Sequence, residues 1–377
     1  MKKTLALVLC LVLVLGVLAG CGSQQAAAPA ASSDSAPAAS SDAAPSSDAA
    51  PSSDAAPAFE PMTWKFACSA TEASTWVAAA HYFADLIGEA TNGAITIEYY
   101  PADQLTAGSQ TDGIQALMDG TTELSMHSNI IYSSFDDRFS VVTLPFLFKN
   151  TDEADAVLDG AGGDALKEVL GEYGLHCMGI AENGFRHPTS NTRLIKTPDD
   201  FKGLKTRIAG SSVLLEAYKA WGDDVTKANW SEVYTGIQQG TYDGQENPVP
   251  TMDAASVQEV TKYCTYWTGA YDCLFFCMNG ALYDSLSPEL QAIVDDCGQK
   301  AVEYQRKINR SGDMEILERW EKENGVEVYF LSEEEQAPFK ALSDSVYQFY
   351  ADLLQNDDGM SHDDVVAFLA SFGVTVE

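Results

Sequence analysis

A group of basic residues in a strongly acidic chain is the first feature that could perform chemistry. The chain carries 22 Lys and Arg against 55 Asp and Glu, a net charge of −33. Between residues 186 and 219 the balance reverses, with three acidic residues and seven basic ones: Arg186, Arg193, Lys196, Lys202, Lys205, Arg207 and Lys219. Because a general negative field repels anions, a local reversal of sign can serve to hold one. The alternative is a solvated basic face.

Signatures of catalysis and of metal binding are scarce. The sequence has no phosphate-cradling glycine loop, no Gly-x-Ser-x-Gly and no His-Glu-x-x-His. The five histidines are scattered, and none is spaced as a metal-ligand pair. The acids at 357–364 lack the alternating oxygen ligands of a calcium loop, so helix capping explains them better. We therefore expect no enzyme activity, no catalytic residue, no metal site and no cofactor.

The first sixty residues predict where the protein lies. Lys2 and Lys3 precede an apolar run at residues 5–18, and Leu-Ala-Gly-Cys follows at 18–21. This arrangement is typical of a secretory signal peptide, here residues 1–20. The last four residues resemble a bacterial lipobox, which implies cleavage before Cys21 and diacylation of its sulfur, with palmitate as an expected acyl group. The alternative is an ordinary signal peptide with a chance cysteine.

Residues 22–58 consist almost entirely of Ala, Pro, Ser and Asp. They have no large apolar side chains to offset the entropy of ordering the chain. We therefore predict that residues 21–59 form a lipidated cysteine and a disordered tether. The folded part then begins near residue 60, and its strong negative charge argues against nucleic acid as a partner. Six cysteines remain there, and the sequence leaves their disulfide state open, although their apolar surroundings favour buried free thiols.

Alternating strand and helix patterns predict an α/β fold. Strand patterns at 62–68, 94–100 and 175–181 alternate with helical patterns such as 76–91 and 151–171, which favours a mainly parallel sheet covered by helices. The folded length predicts two lobes rather than one core. A helical pattern that begins at Ser287 continues towards Asn324. A helix of that length, roughly 50 Å, could lie across both lobes.

Several motifs occur in a fixed order along this body. They include Glu-Asn-Gly-Phe-Arg-His at 182–187, Thr-Pro-Asp-Asp-Phe-Lys-Gly-Leu-Lys-Thr-Arg at 197–207 and Tyr-Asp-Gly-Gln-Glu-Asn-Pro at 242–248. Shorter ones are Leu-Pro-Phe-Leu-Phe at 144–148 and Gln-Gln-Gly at 238–240. Over about residues 62–350 the set resembles the solute-binding proteins of tripartite ATP-independent periplasmic (TRAP) transporters, dicarboxylate-binding-protein branch.

The resemblance implies a two-lobe, periplasmic-binding-protein-like α/β fold with a hinge and a long helix bridging both lobes. By analogy, residues 60–184 plus 273–312 form lobe one, and residues 185–272 plus 313–377 form lobe two. The ligand would lie in the cleft between them, and contacts with both lobes would favour closure.

The resemblance also implies site residues. Arg207 matches the family arginine that contacts a ligand carboxylate, and a planar guanidinium suits a carboxylate with two parallel hydrogen bonds. A structural salt bridge is its alternative role. Arg186 matches an assisting position, against a role in pairing with an acid of its lobe.

Four further positions follow from the resemblance. Asn247 could donate to the ligand, although it also suits a turn before proline. Trp230 could line the cleft or belong to the core, and it follows Ala-Asn where relatives often have Pro-Met, which leaves the ligand's identity open. Glu72 and Ser128 lie in loops that face the cleft in relatives, with Trp76 and Asn129 as alternatives.

The expected function is that of an extracytoplasmic receptor, lipid-anchored to the bacterial cell membrane. It would bind a small organic acid and deliver it to the small and large membrane subunits of a TRAP-type permease, driven by an ion gradient. The alternatives are a receptor of an ATP-driven importer and a surface sensor or adhesion module that reuses the fold.

Overall fold

The computed structural model describes residues 59–356 and 358–375. The predicted signal peptide, Cys21 and all but the last residue of the predicted tether lie outside the described residues. The strands are β1 (Met62–Cys68), β2 (Ile95–Tyr100), β3 (Leu124–Ser128), β4 (Leu175–Phe185), β5 (His187–Ser190), β6 (Thr206–Ile208), β7 (Thr226–Lys227), β8 (Gly244–Asn247), β9 (Tyr263–Tyr266), β10 (Tyr271–Asn279) and β11 (Glu327–Phe330).

The helices begin largely where polar capping residues predict. They are α1 (Thr75–Ala90), α2 (Gln110–Met118), α3 (Asn129–Tyr132), α4 (Thr151–Leu158), α5 (Ala161–Glu172), α6 (Ser212–Ala220), α7 (Val233–Gln238), α8 (Val249–Ala254), α9 (Gly280–Ser285), α10 (Pro288–Arg310), α11 (Asp313–Arg319), α12 (Glu333–Asn356) and α13 (His362–Ala370). Ser74, Ser109, Ser287 and Ser361 each accept a hydrogen bond from a backbone N–H in the first turn of the helix that follows. The capping interpretation of the acids at 357–364 is therefore confirmed, because Ser361 caps α13 and Asp363 and Asp364 lie in its first turn.

The strands form two sheets, in the orders β2-β1-β3-β10-β4 and β11-β9-β5-β8-β6-β7. In the first sheet β10 runs antiparallel to both of its neighbours, and in the second sheet β5 does the same. The pairs of β1 with β2 and β3, of β6 with β7 and β8, and of β9 with β11 are parallel. The predicted α/β class is confirmed, and the mainly parallel sheet becomes two sheets with one reversed strand each.

Within the described residues the chain passes between the sheets three times, and two of these crossings are neighbouring segments. β4 ends at Phe185 in the first sheet, and β5 starts at His187 in the second. The return runs from β9 to β10, where Tyr271 pairs with Phe185. Between them the N–H of Arg186 donates a 2.9 Å hydrogen bond to the carbonyl of Ala270. The two crossings are therefore hydrogen-bonded to each other at the junction of the sheets.

The first sheet is packed on both faces, and β10 is buried along its whole length. Successive side chains of a strand point to opposite faces. Phe276 accordingly contacts the ring of Phe83 at 5.2 Å between centroids, whereas Phe275 contacts Tyr132 at 5.1 Å on the other side. This double burial explains why the sequence of β10 is almost continuously apolar.

The predicted long helix is interrupted, which corrects the continuous pattern from Ser287 to Asn324. The structure has α10, a break at Ser311 and Gly312, then α11 and a π-helical turn, Trp320–Asn324. Glycine is a weak helix former, and the Ser311 hydroxyl donates to the carbonyl of Ile308 at 3.0 Å. The 23-residue α10 packs against α1 and β4 of the first sheet.

The lobe boundaries stay a prediction. Most of the first sheet lies within the range predicted for lobe one, whereas Tyr271 and Asp272 of β10 carry numbers given to lobe two. Phe372, also numbered in lobe two, lies against Gly162 of α5. Among the described residues, no helix combines the length and the apolar composition needed to cross a membrane.

Candidate ligand-binding site

A narrow cavity lies where strands of both sheets end. Ser69 follows β1, Ser128 ends β3, Ala209 follows β6 and Asn247 ends β8, so the carboxyl ends of four parallel-paired strands contribute to its wall. Ligands of open α/β sheets bind at this edge. The full lining comprises Ser69, Ala70, Trp76, Gln110, Ser128, Ile131, Asn183, Arg186, Arg207, Ala209, Trp230, Asn247, Thr251 and Asp272.

The cavity is small. Its volume is about 30 Å³, which is space for very few waters. A larger adjoining cavity has a volume of about 170 Å³, and Ser69 and Trp230 line both. A ligand of several heavy atoms therefore requires the walls to separate or the Trp230 side chain to move.

Arg207 is held in the middle of β6 with one edge of its guanidinium occupied. Its Nε and Nη2 atoms donate to the carbonyl oxygen of Ala228 at 2.9 and 2.5 Å. Within residues 59–356 and 358–375, this guanidinium forms no salt bridge with a carboxylate, although it is only 1% exposed. The end formed by Nη1 and Nη2 retains N–H donors in the geometry that matches a carboxylate.

The surroundings of Arg207 leave it charged but poorly compensated. Burial lowers its pKa to about 10, with Glu246 opposing that shift and Arg186 adding to it. The side chain is therefore a cation at neutral pH. Its Cζ atom lies 5.8 Å from the ring centroid of Trp230, a cation–π contact that helps to orient the guanidinium.

Arg186, by contrast, is fully engaged by protein carboxylates. Its Nε and Nη2 atoms both donate to the carboxylate of Glu246, and Nη1 donates to Oδ2 of Asp272. Burial opposes the charge of Arg186, yet the two carboxylates raise its pKa above the ordinary value. This is the pairing role that the sequence left as the alternative for Arg186.

Asp272 lines the cavity and is saturated with donors. Its Oδ1 accepts from the Ser128 hydroxyl at 2.7 Å, and its Oδ2 accepts from the Asn183 amide at 2.7 Å and from Arg186. Burial raises the pKa of Asp272 above its usual range, although these three donors favour the ionised form. Ser128, a predicted site residue, thus faces the cavity while it orients this carboxylate.

Polar side chains beside the second sheet extend this network. Asn247 donates to Oε1 of Gln245 at 2.7 Å, and Thr251 donates to Oδ1 of Asn183 at 2.5 Å. Asn247 and Thr251 are both buried. Asn247 therefore reaches the cavity as predicted, with one of its two amide hydrogens already directed to a protein acceptor.

Trp230 connects the two sides of the cavity. Its backbone N–H donates to Oε1 of Gln110 at 3.2 Å. The next residue, Ser231, donates from its hydroxyl to the carbonyl of Gly108 at 3.3 Å. Because Gln110 begins α2 beside the first sheet and Trp230 follows β7 of the second, these bonds hold the walls together.

Two polar groups of the lining have no partner. Among the described residues, Nε1 of Trp76 and Oγ of Ser69 are buried without a hydrogen bond. Leaving a buried donor unpaired costs about 1–3 kcal/mol. Both groups lie on the side of the first sheet, opposite Arg207, and a ligand with oxygen atoms could satisfy them.

Two predicted candidates lie elsewhere. The Glu72 side chain is 67% exposed and contacts His81 at 3.3 Å, so the structure places it outside the cavity. Asn129 is buried, and its amide donates to the Phe139 carbonyl while its oxygen accepts from the N–H of Cys273. Asn129 therefore packs the strand ends, whereas Trp76, its fellow alternative, lines the cavity.

The sequence missed Asp272, Ser69, Asn183, Gln110 and Thr251. Asp272 had a signal, because it is the one charged residue in the apolar run of β10. Asn183 lies inside the motif Glu-Asn-Gly-Phe-Arg-His at 182–187. The others are ordinary polar residues whose role depends on the fold.

The basic group separates into two classes. Arg193, Lys196, Lys202, Lys205 and Lys219 are exposed, whereas Arg186 and Arg207 are buried. Several exposed members have local partners, such as Lys202 with Asp199 at 2.6 Å. The solvated-face interpretation thus holds for five of the seven.

Within the described residues, no group of three or more potential His, Cys, Asp or Glu ligands is arranged to hold a metal ion.

Known proteins resemble this chain in sequence. A family model described as bacterial extracellular solute-binding protein, family 7 (DctP), matches residues 66–353. The chain is 33% identical over 264 residues to the 2,3-diketo-L-gulonate-binding periplasmic protein YiaO of Escherichia coli (strain K12), covering 70% of this chain and 80% of that protein. It is 28% identical over 294 residues to the C4-dicarboxylate-binding periplasmic protein DctP of Rhodobacter capsulatus, covering 78% and 87%.

Solved structures share the fold. The sugar acid binding protein DctPAm from Advenella mimigardefordensis, in complex with galactonate, superimposes with a TM-score of 0.76 at 27% identity, covering 84% of this chain and 99% of that one. A TRAP periplasmic solute binding protein from Sulfurospirillum deleyianum with bound succinate gives 0.75 at 26% identity, covering 84% and 100%. The chain therefore belongs to the bacterial extracellular solute-binding proteins of family 7, the solute-binding proteins of TRAP transporters.

Proposed function

We propose that this protein captures a small organic anion through a carboxylate that binds the free end of the Arg207 guanidinium. The observation that carries the proposal is the missing counter-ion of Arg207. Removing a cation from water is costly unless an anion compensates it. Arg186 has two carboxylate partners in the same cavity, and Arg207 has none among the described residues.

The relatives support an organic acid as the ligand. Their names or bound molecules include 2,3-diketo-L-gulonate, galactonate and succinate. Each of these carries at least one carboxylate, although they differ in length and in hydroxyl content. For this chain we infer the shared group, the carboxylate, as the feature that Arg207 recognises.

The other lining residues receive supporting roles. Trp230 orients Arg207 and lines both cavities, and Asn247 has one amide hydrogen to offer an oxygen of the ligand. Ser128 and Arg186 fix Asp272, so they shape the site rather than supply charge to the ligand. Glu72 has no part in this proposal because it lies outside the cavity.

The test is titration calorimetry of full-length protein with a panel of organic acids. Arg207→Lys keeps the charge but cannot form two parallel hydrogen bonds. We expect it to lose about 1.5–3 kcal/mol, roughly 10–100-fold in affinity. The matched control is Arg193→Lys, the same change at an exposed arginine of the same basic group. Equal affinities of the two variants would remove Arg207 as the anchor.

We further propose that the protein delivers its ligand to a TRAP-type permease with a small and a large membrane subunit. The protein would act outside the cytoplasm, anchored through lipid on Cys21, and would release its ligand unchanged. Uptake of the bound acid should require this protein and stop when the ion gradient is dissipated. Uptake that persists without a gradient but stops on ATP depletion would favour an ATP-driven importer, and absence of uptake would favour a sensor.

The lipid anchor has its own test. Cells fed an alkyne analogue of palmitate should label the wild-type protein and not Cys21→Ser. Labelling of both would contradict acylation at Cys21. Mass spectrometry of ligand after prolonged incubation checks that no product forms, because any turnover would contradict a pure binding role.

A further inference from the structure

The charges of the cavity can be counted side chain by side chain. The lining contains three ionisable groups, Arg186, Arg207 and Asp272, and Glu246 is buried directly behind Arg186. His187 adds no charge, because burial and the neighbouring Arg186 lower its pKa to about 3. Two cations therefore face two carboxylates before any ligand enters.

These four charges are distributed unevenly. Both carboxylates bind Arg186, Glu246 through two guanidinium nitrogens and Asp272 through a third. Arg207 is left with a backbone carbonyl and an aromatic face. Counting the described residues alone, the cavity thus has one uncompensated cation, Arg207, and this cation lies on one side.

The remaining lining offers hydrogen bonds without charge. It presents the hydroxyls of Ser69 and Thr251 and the amides of Gln110, Asn183 and Asn247. Within the part of the chain that the structure describes, the indole N–H of Trp76 and the hydroxyl of Ser69 are buried without a hydrogen-bond partner. Such groups suit the hydroxyl or keto oxygens of a ligand.

A second carboxylate would meet a different environment. Away from Arg207, among the described residues, the ionisable lining consists of Asp272 and the already neutralised Arg186. A second ligand carboxylate would be desolvated there without its own cation and would be repelled by Asp272.

We infer, on the basis of the proposed function, that the ligand carries one carboxylate and several hydroxyl or keto groups. Glu246 and Asp272 then select against dicarboxylates because they neutralise Arg186. The relatives include a binder of 2,3-diketo-L-gulonate and a binder of C4-dicarboxylates, so membership of the family does not decide whether the ligand has one carboxylate or two. The charge count of this chain favours the hydroxylated monocarboxylate.

The test uses pairs of acids that differ at one terminal group. Within each pair, the second acid has a carboxylate where the first has a terminal CH₂OH. The pairs are glycerate and tartronate, threonate and tartrate, gluconate and glucarate, and galactonate and galactarate. Calorimetry on full-length protein should show the monocarboxylate of any binding pair at least tenfold tighter. A dicarboxylate that binds as tightly as its partner, or more tightly, would overturn the inference and leave the proposed function standing.

Identification of ligand that copurifies with the protein provides a second test of the ligand class. Native mass spectrometry followed by release should identify an acid with one carboxylate, and a copurified dicarboxylate would overturn the inference. If no acid of the panel binds and no acid copurifies, the proposed function fails first, and the inference fails with it. The two failures are therefore distinguishable.

A substitution of Glu246 tests whether the neutralisation of Arg186 causes the selectivity against dicarboxylates. Glu246→Gln preserves shape but removes one charge from Arg186, so the affinity ratio of dicarboxylate to monocarboxylate should rise at least tenfold. Glu168→Gln, the same change on the exposed face of α5, should leave the ratio unchanged. An unchanged ratio in folded Glu246→Gln protein would remove Glu246 as a selectivity residue. If that variant does not fold, the paired acids on unmodified protein still decide the ligand class.

Discussion

The hydroxyl of Thr71 donates a 2.8 Å hydrogen bond to the backbone carbonyl of Ala254, although 183 positions separate the two residues. Thr71 follows β1 of the first sheet, and Ala254 ends α8, which follows β8 of the second. This bond, like that between Trp230 and Gln110, joins the two walls of the cavity. Separation of the walls would break it.

Thr71→Val should therefore weaken ligand binding without altering the lining of the narrow cavity that contains Arg207. Loss of one such bond costs about 1 kcal/mol, so we expect roughly fivefold lower affinity by calorimetry, together with a larger radius of gyration in X-ray scattering. Thr63→Val is the control, because its hydroxyl bonds to Thr96 within the first sheet. If both variants bind alike, the Thr71 bond does not stabilise the closed arrangement.

Trp76→Phe should reduce affinity because it removes a donor that faces no protein acceptor among the described residues. Trp64 offers a matched comparison, since its Nε1 is also buried and unpartnered but Trp64 does not line the cavity. We expect Trp76→Phe to lower affinity by about 3–30-fold and Trp64→Phe to affect only the melting temperature. Equal affinity of Trp76→Phe and wild type would show that the indole N–H does not bind ligand.

Gly244→Ala should destabilise the second sheet. A Cβ atom at this position would lie 1.9 Å from the carbonyl oxygen of Thr189 on the paired strand β5. The backbone must shift, and we expect a loss of about 2–3 kcal/mol in the free energy of unfolding by urea denaturation. Gly171→Ala in α5 meets no atom within 4 Å and should gain about 0.5–1 kcal/mol. Similar effects of both changes would contradict the steric explanation.

The stability should depend on pH through Asp223. Burial raises the pKa of this carboxyl from 3.8 to about 7 in the folded protein. Between these values the folded state holds a proton that the unfolded chain has lost, so stability falls as the pH rises towards and through 7.

Asp223→Asn removes this dependence, because the amide stays neutral at every pH. Compared with wild type, we expect the variant to gain roughly 1–3 kcal/mol at pH 8 and less at pH 5, as measured by urea denaturation at both values. Asp224→Asn, at the exposed neighbour, should retain the wild-type profile. A wild-type profile in Asp223→Asn would assign the pH dependence to another group.

Local patterns were enough to predict many elements and part of the site. The apolar spacing at 62–68 and the cap before α1 are decided within a few residues, and the structure matches them closely. Arg207 was expected from a motif shared with a known family, and the structure places it in the cavity lining, while its role in binding stays a prediction. The break at Gly312 could not be predicted, since a single helix glycine costs only about 1 kcal/mol, which tertiary contacts readily outweigh.

The cluster of Arg186, Glu246 and Asp272 shows why the remaining features of the site could not be predicted from the sequence. Arg186 meets Glu246 and Asp272 over 60 and 86 positions of sequence, and only the pairing of β5 with β8 and of β4 with β10 brings them together. From the sequence, Arg186 and Arg207 looked like two similar cations. The fold neutralises one and leaves the other without a counter-ion among the described residues.

The crossing of the chain at Arg186 has a consequence for the hydration of the empty protein. Points on an axis of rotation move least, so separation of the sheets about this crossing would displace Arg186 less than Arg207. Arg207 lies on β6, two strands away from β5 in the second sheet, and would meet water. Closure without ligand would then strip water from a lone cation, which disfavours an empty closed receptor. A membrane partner that engages the closed form would thereby avoid futile encounters with unloaded protein.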